Sequence, residues 1–437
     1  MDSSGRASIT TTKPAGAITA IAPIVACLVT LGAGFALKGQ CLDPWTDFHQ
    51  YESLCYNDLQ PLWSARGIAE RTFPYVSGSI ERGELADGAI EYPVLTGVFM
   101  WASGAFARTS NAYLVHSALL LAPFGVLVAW LLGRLTGLRS LLWAAAPALA
   151  LYAFHNWDLL VVAATVCGLY LWLAGRPVGA GVSFGIGGAL KLYPLAFLVP
   201  VFLALVAAGR RRTASYVAAA GLGTFAVINL PFVLANFSGW WATFEFHRAR
   251  GPNFDNIWSI RDWGPISLPT LSPGRLNLVT AVLTAVFVLA ALAVGWSRAR
   301  RSGHFPVLEV CAALLAAFLL WNKVHSPQYA LWLLPFFVLT RVHIGWWAAY
   351  TVADLATYIG TFRFFFDVCS DEGCVVGDPT VAQHLMNAGV FIRAGLLLTL
   401  FFVFLREKTG GDPSSRPVVS HPSATLASVG EGATQPD

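Results

Sequence analysis

Long apolar runs separated by short polar breaks make up most of the chain. The first run, residues 15–37, is long enough for a membrane helix, which needs about 20 residues. The longest polar stretch before the C-terminal tail follows it directly, at residues 41–93. Short helices lying along a membrane surface are expected inside that stretch, at residues 59–68 and 76–85. Residues 94–107 are apolar but too few for a straight span, so they predict a partly inserted helix that does not cross. Residues 112–133 make a full span ending at Arg134 and Arg139. The runs 141–154, 159–175, 178–190 and 193–208 are shorter, as if they stop at a water-filled cavity. Charges and irregular backbone are tolerated at membrane depth only in that setting. After the run 214–234 comes a second polar loop, 236–273, rich in Trp, Arg and Asp. The runs 276–296, 305–321, 330–339, 344–361 and 381–405 follow. Together the runs give about twelve crossings. They lack the short alternating strands of a membrane barrel.

Composition agrees with this reading. The chain has 437 residues, of which 56% are hydrophobic and 12% charged, and a mean hydropathy of +0.60. Those values lie outside the soluble globular range. The formal net charge of +4 does not point to nucleic acid, because the basic residues sit in short clusters between apolar runs, as the positive-inside rule describes. The fold class expected is therefore an all-α polytopic membrane protein, multi-pass in the plasma membrane with both termini cytoplasmic. Residues 1–14 form the cytoplasmic N-terminus, 15–405 the membrane domain, 39–93 its first extracytoplasmic loop, and 406–437 a disordered cytoplasmic tail rich in Gly, Ser, Pro and Thr. Residues 185–191 resemble a phosphate loop superficially, but they lack the Gly-Lys-Ser/Thr ending. Their small residues suit close helix approach instead.

The candidate chemistry gathers on one side of this topology. Asn57-Asp58 with Arg66 and then Glu91-Tyr92-Pro93 form one group; His155-Asn156-Trp157-Asp158, Lys191-Leu192-Tyr193-Pro194 and Lys323-Val324-His325-Ser326-Pro327-Gln328-Tyr329 form the others. An acid at a membrane surface can take the proton of a hydroxyl acceptor, and cations beside it can hold a phosphate. Each residue also has a plainer reading. Asp58 can cap the helix that starts at Leu59, and Asp158 can do the same at Leu159. Lys191 can snorkel to headgroups, and His325 can be a structural histidine. Arg248, Arg250 and Arg261 can pair with Asp255 and Asp262, and the Trp residues near them can form an interfacial belt. Cys41, Cys55, Cys369 and Cys374 lie in polar loops, where Cys41–Cys55 and Cys369–Cys374 are plausible disulfides, whereas Cys27, Cys167 and Cys311 fall in apolar runs.

The run Asn57-Asp58-Leu59-Gln60-Pro61-Leu62-Trp63, with Arg66-Gly67, Phe73-Pro74-Tyr75 and Glu91-Tyr92-Pro93, resembles the first outer loop of glycosyltransferase family 87. This GT-C-fold family includes actinobacterial polyprenol-phosphate-mannose-dependent mannosyltransferases. His155-Asn156-Trp157-Asp158 and the Lys191-Leu192-Tyr193-Pro194 turn fit it as well, and the likeness runs over residues 15–405. The resemblance implies a GT-C-like bundle, a polyprenyl-phosphate sugar donor, an extracytoplasmic site and an inverting mechanism. It places the catalytic acid at Asp58, with Asp47 as competitor. His325-Ser326-Pro327-Gln328-Tyr329 departs from the Ser-Pro and Trp-His-His pattern of mannosyltransferase members, which leaves mannose open against another hexose or a pentose.

The function expected is transfer of a sugar to a cell-envelope glycolipid or polysaccharide, with Asp58 as general base. Lys191, His325 and Arg66 are expected at the donor phosphate, and Glu91, Tyr92, Asn156, Asp158, Tyr193 and Gln328 around the substrates. No metal or other cofactor is expected, since cations can neutralise a leaving phosphate. The alternative is a transporter or lipid-carrier flippase, against which the chain shows no convincing internal duplication.

Overall fold

In lipid a bare amide finds no partner, so apolar chain must satisfy its own backbone, and a helix does so locally. The structure is a computed structural model. It describes residues 17–407 except 43, 44, 82, 261, 264, 265, 268, 371, 372 and 376–378. The expected N-terminal segment 1–14 and the tail beyond residue 407 lie outside the described residues.

The chain opens with α1 (Ala17–Gly39) and then the long polar stretch, which holds α2 (His49–Glu52) and α3 (Leu59–Ala65). Residues 76–85 are not helical. They hold a hairpin of β1 (Ser79–Glu81) and β2 (Glu84–Ala86), paired antiparallel. The reason is local: Gly83 in the turn, and Asp87 and Gly88 just after it, all take positive φ, which suits turns and ends a helix. Next come α4 (Val94–Ser103) and α5 (Ser110–Thr136). The run 141–154 splits into α6 (Leu141–Ala144) and α7 (Pro147–Tyr152), because the residue before Pro147 is pushed out of helical geometry. Helices α8 (Asp158–Leu173) and α9 (Pro177–Leu190) follow, then α10 (Tyr193–Ala196), α11 (Leu198–Ala207) and α12 (Arg211–Ala235). The second polar loop contains a helix, α13 (Phe237–Ala249), and a two-residue ladder of β3 (Asp262–Trp263) and β4 (Ile266–Ser267). The last elements are α14 (Pro273–Ser302), α15 (Val307–Trp321), α16 (Ala330–Leu339), α17 (Ile344–Val368), a ladder of β5 (Cys369–Ser370) and β6 (Gly373–Cys374), and α18 (Val381–Arg406).

Among the described residues, five segments are long and apolar enough to cross a membrane alone: Ile21–Leu42, Ser110–Ala144, Arg211–Ala235, Pro273–Ser302 and Val381–Arg406. The protein is an all-α polytopic membrane protein. The other expected crossings from α8 to α11 and at α15 and α16 are shorter apolar helices. Two of them are deeply buried: Ala312, Ala313, Ala316 and Ala317 of α15 and Leu331, Leu333 and Phe336 of α16 are wholly enclosed. Helix α9 packs closely on α12 through glycine. A Cβ on Gly181 would meet the Val217 carbonyl oxygen at 2.6 Å, and one on Gly185 would collide with the Gly221 carbonyl.

The two ends of the bundle differ in chemistry. At the C-terminal end of α16, Arg139 donates to the carbonyls of Phe337, Val338, Thr340 and Val342, satisfying the acceptors a helix end leaves bare. Nearby helix ends carry Arg298, which donates to the Glu407 carbonyl. The N-terminal end of α16 faces the polar groups described next.

Candidate active site

Cys41 and Cys55 form a disulfide, as expected for one of the two pairs. It ties the start of the polar stretch to the segment just before Asn57-Asp58. Cys369 stands opposite Cys374 in the β5–β6 ladder and is itself disulfide-bonded, while the Cys374 side chain lies outside the described residues.

Asp58 stands at the start of α3, yet its side chain makes no capping bond. Asn57 does that work instead: its Oδ1 accepts from the Gln60 amide at 3.0 Å. The Asp58 carboxylate is thereby left for other use. Its Oδ2 accepts from Asn156 Nδ2 at 2.7 Å, and that same nitrogen donates to the Tyr92 hydroxyl at 2.7 Å. The Asp58 amide donates to the His155 carbonyl at 2.8 Å. Burial pushes the Asp58 carboxyl up to about 6; the Asn156 bond and Lys191 act against the rise, and Glu91 adds to it. A base titrating there is mostly ionised at neutral pH and still close enough to it to exchange a proton.

Asp58 faces a cavity of about 480 Å³ together with Glu91, Tyr92, Lys191, Arg250 and Gln328. That volume falls in the range of small-molecule sites, about 300–1,000 Å³. Its aromatic walls come from Tyr51 and Tyr56 of the polar stretch, Phe246 of α13, and Phe362 and Phe365 of α17. Lys191 follows the last residue of α9, and its Nζ lies 2.9 and 3.2 Å from the two oxygens of Asp158. Asp158 is fully buried in the first turn of α8 and also accepts from Trp332 Nε1 at 2.9 Å. The rings of Tyr92, Tyr329 and Trp332 lie 5.0–5.3 Å from the same ammonium, a stabilising arrangement for a desolvated cation. Glu91 is held by Arg66 in a two-point pair of 2.6 and 3.1 Å. Gln328 Oε1 is buried without a hydrogen-bond partner among the described residues.

The expected residues therefore divide. Asp58, Glu91, Tyr92, Lys191 and Gln328 line the cavity, while Arg66, Asn156 and Asp158 stand behind them and hold them. Asp47 is exposed and does not line the cavity. Tyr193 does not reach it either; its hydroxyl lies 2.9 Å from Thr165 Oγ1 and its ring stacks on Trp332. His325 is not among the residues that line the cavity. Its Nδ1 lies 3.0 Å from the Leu319 carbonyl, and burial holds its imidazole well below the usual range. The reason lies in the chain direction: α15 ends at Trp321, and the turn that follows folds the ring back on the helix.

Among the cavity's titratable residues, His247 was not singled out in the sequence, and Arg250 was read there only as an ion-pair partner. His247 and Arg250 come from the end of α13. The His247 ring lies 2.8 Å from the Glu91 carbonyl through Nε2, and the Arg250 guanidinium donates to Asn253 Oδ1 at 3.0 Å. Asp255, an expected partner of Arg250, is instead beside Arg393, and Arg261 lies outside the described residues. The signal for α13 was present: Phe237, Trp240, Trp241 and Phe244 recur at helical spacing behind an Asn236 cap.

The model of glycosyltransferase family 87 matches residues 90–322 of this chain. No curated protein matches it.

Proposed function

The chain belongs to glycosyltransferase family 87, a GT-C type family of membrane glycosyltransferases, and from that premise we propose that Asp58 is its general base. The donor in this reading is a polyprenyl-phosphate sugar and the acceptor a cell-envelope glycolipid or polysaccharide. The acceptor hydroxyl oxygen attacks the anomeric carbon, the bond from that carbon to the phosphate oxygen breaks, and polyprenyl phosphate leaves with the electron pair. Asp58 takes the hydroxyl proton, and attack opposite the leaving group inverts the anomeric centre.

The observation that carries the reading is the freedom of the Asp58 carboxylate. It is relieved of capping by Asn57, aimed by Asn156 and open to a cavity that also holds cations. Arg250 is the better phosphate partner of the two cations, because Lys191 is already neutralised by Asp158. Arg250 has no carboxylate partner among the described residues. Planar guanidinium also matches phosphate in two-point geometry. Lys191 then supplies a fixed ammonium beside the leaving group. The cavity lies at the end of α16 away from Arg139, Arg298 and their basic neighbours, which supports an extracytoplasmic site by the positive-inside rule.

The test is transfer of labelled sugar from polyprenyl-phosphate donors by the full chain in membranes. Asp58→Asn is expected to lose product formation by about 10²–10⁴-fold, the usual worth of a positioned base. An undiminished rate refutes the assignment.

A further inference from the structure

The cavity's lining is of two kinds: Lys191 and Arg250 bring cations, and Tyr51, Tyr56, Phe362 and Phe365 bring rings. The four rings form one connected cluster. Tyr51 stacks on Tyr56 and on Phe362 with centroids 5.7 and 6.3 Å apart and lies 5.4 Å from Phe365, while Tyr56 lies 5.5 Å from Phe362. The cavity's cations lie over other rings: Tyr92, Tyr329 and Trp332 around Lys191, and Phe246 beside Arg250. The cluster is held from both sides. Cys55, next to Tyr56, is bonded to Cys41, and Phe362 and Phe365 share a face of α17.

The chemistry of this wall selects its ligand. The face of an aromatic ring carries partial negative charge, which the C–H face of a sugar ring complements. A prenyl chain calls for branched aliphatic neighbours instead, and among the described residues that line the cavity only Leu62 is of that kind. Thr361, directly before Phe362, adds an independent sign. It lines the cavity, is 5% exposed, and its Oγ1 has no hydrogen-bond partner among the described residues. A threonine inside a helix can return its hydroxyl to the carbonyl four residues back, as Thr357 does to Ala353 at 2.9 Å. Thr361 does not. A buried oxygen without a partner is costly, and a ligand hydroxyl would relieve that cost. Stacked rings beside a bare hydroxyl suit a molecule with one apolar C–H face and hydroxyls at its edge, which describes a sugar.

Of the two sugars in the reaction, the acceptor must bring its attacking hydroxyl within hydrogen-bond reach of the base. Asp58 follows Tyr56 by two residues and lines the same cavity. We propose that Tyr51, Tyr56, Phe362 and Phe365, with Thr361, form the acceptor subsite, which takes the terminal sugar ring of a glycan with its C–H face on the rings and a hydroxyl on Thr361 Oγ1. This rests on the reading of Asp58 as base and leaves the cations to the donor.

The experiment measures binding by saturation-transfer NMR to the full chain in lipid nanodiscs, against empty nanodiscs. Methyl glycosides of the common hexoses and pentoses are the acceptor probes, and farnesyl phosphate is the donor probe. The wild type is expected to bind at least one glycoside and to keep it when farnesyl phosphate is added. Tyr51→Leu and Phe365→Leu keep apolar bulk and remove a ring face. Each is expected to weaken that glycoside about tenfold and to leave farnesyl phosphate unchanged. Thr361→Val, which exchanges a hydroxyl for a methyl, is expected to weaken the glycoside about fivefold. The proposal is overturned if no glycoside binds, if farnesyl phosphate displaces it, or if the leucine variants hold it at wild-type strength. Weakening of farnesyl phosphate alone would seat the prenyl chain on this wall and overturn it as well. Should a leucine variant lose both probes by misfolding, Thr361→Val decides, and a glycoside held there at wild-type strength overturns the proposal. The base reading is tested apart from this: Asp58→Asn transferring sugar at the wild-type rate refutes it. An inactive Asp58→Asn together with leucine variants that bind glycoside normally refutes only the acceptor wall.

Discussion

Two buried charge clusters invite comparison. In one, Asp58 and Lys191 face a cavity of about 480 Å³. In the other, Arg393 of α18 sits with Asp255 and Asp354 at 3.9 and 3.4 Å, around a void of about 10 Å³. Burial pushes both Asp58 and Asp255 up to about 6. A displaced pKa therefore does not distinguish the proposed catalytic group from the structural one. Access does: one carboxylate meets a space that fits a sugar, the other a space no larger than a water. The closed cluster still bears on the site, because the Asp255 carbonyl accepts from Arg393 at 2.7 Å and so fastens the segment that continues from Arg250 to α18.

The comparison breaks most sharply at Asp58. Asp58→Asn should lose activity by about 10²–10⁴-fold with its melting temperature little changed, whereas Asp47→Asn should stay near wild type. Because the base must be ionised, wild-type kcat/KM should fall as pH drops through about 6. Arg393→Met should do the reverse: breaking a buried cluster leaves two carboxylates uncompensated, at a cost of about 3–5 kcal/mol, seen as a lower melting temperature in detergent. The acid limb of whatever protein folds should stay at the wild-type pH. Replacing Cys41 and Cys55 by Ser should cost about 3 kcal/mol, the entropy of a loop of that length, and should destabilise the Asp58 segment specifically, as amide exchange would show. The smallest effect belongs to Arg250→Gln. It should raise the donor KM by about tenfold with kcat changed far less, the pattern of a lost contact made equally in ground and transition states.

The helices were legible because apolar run length reports them directly, and Asp58, Glu91, Tyr92, Lys191 and Gln328 were legible because polar groups at membrane depth are costly without a purpose. The hairpin at residues 79–86 was missed because its signal is the backbone preference of Gly83, Asp87 and Gly88, not periodicity. His247 was missed, and Arg250 was read only as an ion-pair partner, because a loop rich in Trp masked the α13 stripe. His325 was expected at the cavity because sequence order brings it beside Gln328 without saying which way a ring turns. The Asn57 cap could not be foreseen: Asn and Asp are both good caps, and only the geometry decides which one serves.

The most direct measurement is a structure of the full chain in lipid with a polyprenyl-phosphate sugar analogue whose anomeric bond cannot be cleaved. The account predicts the sugar against Asp58 and the phosphate between Lys191 and Arg250. A headgroup bound outside this cavity, with Asp58 left facing empty space, would contradict it.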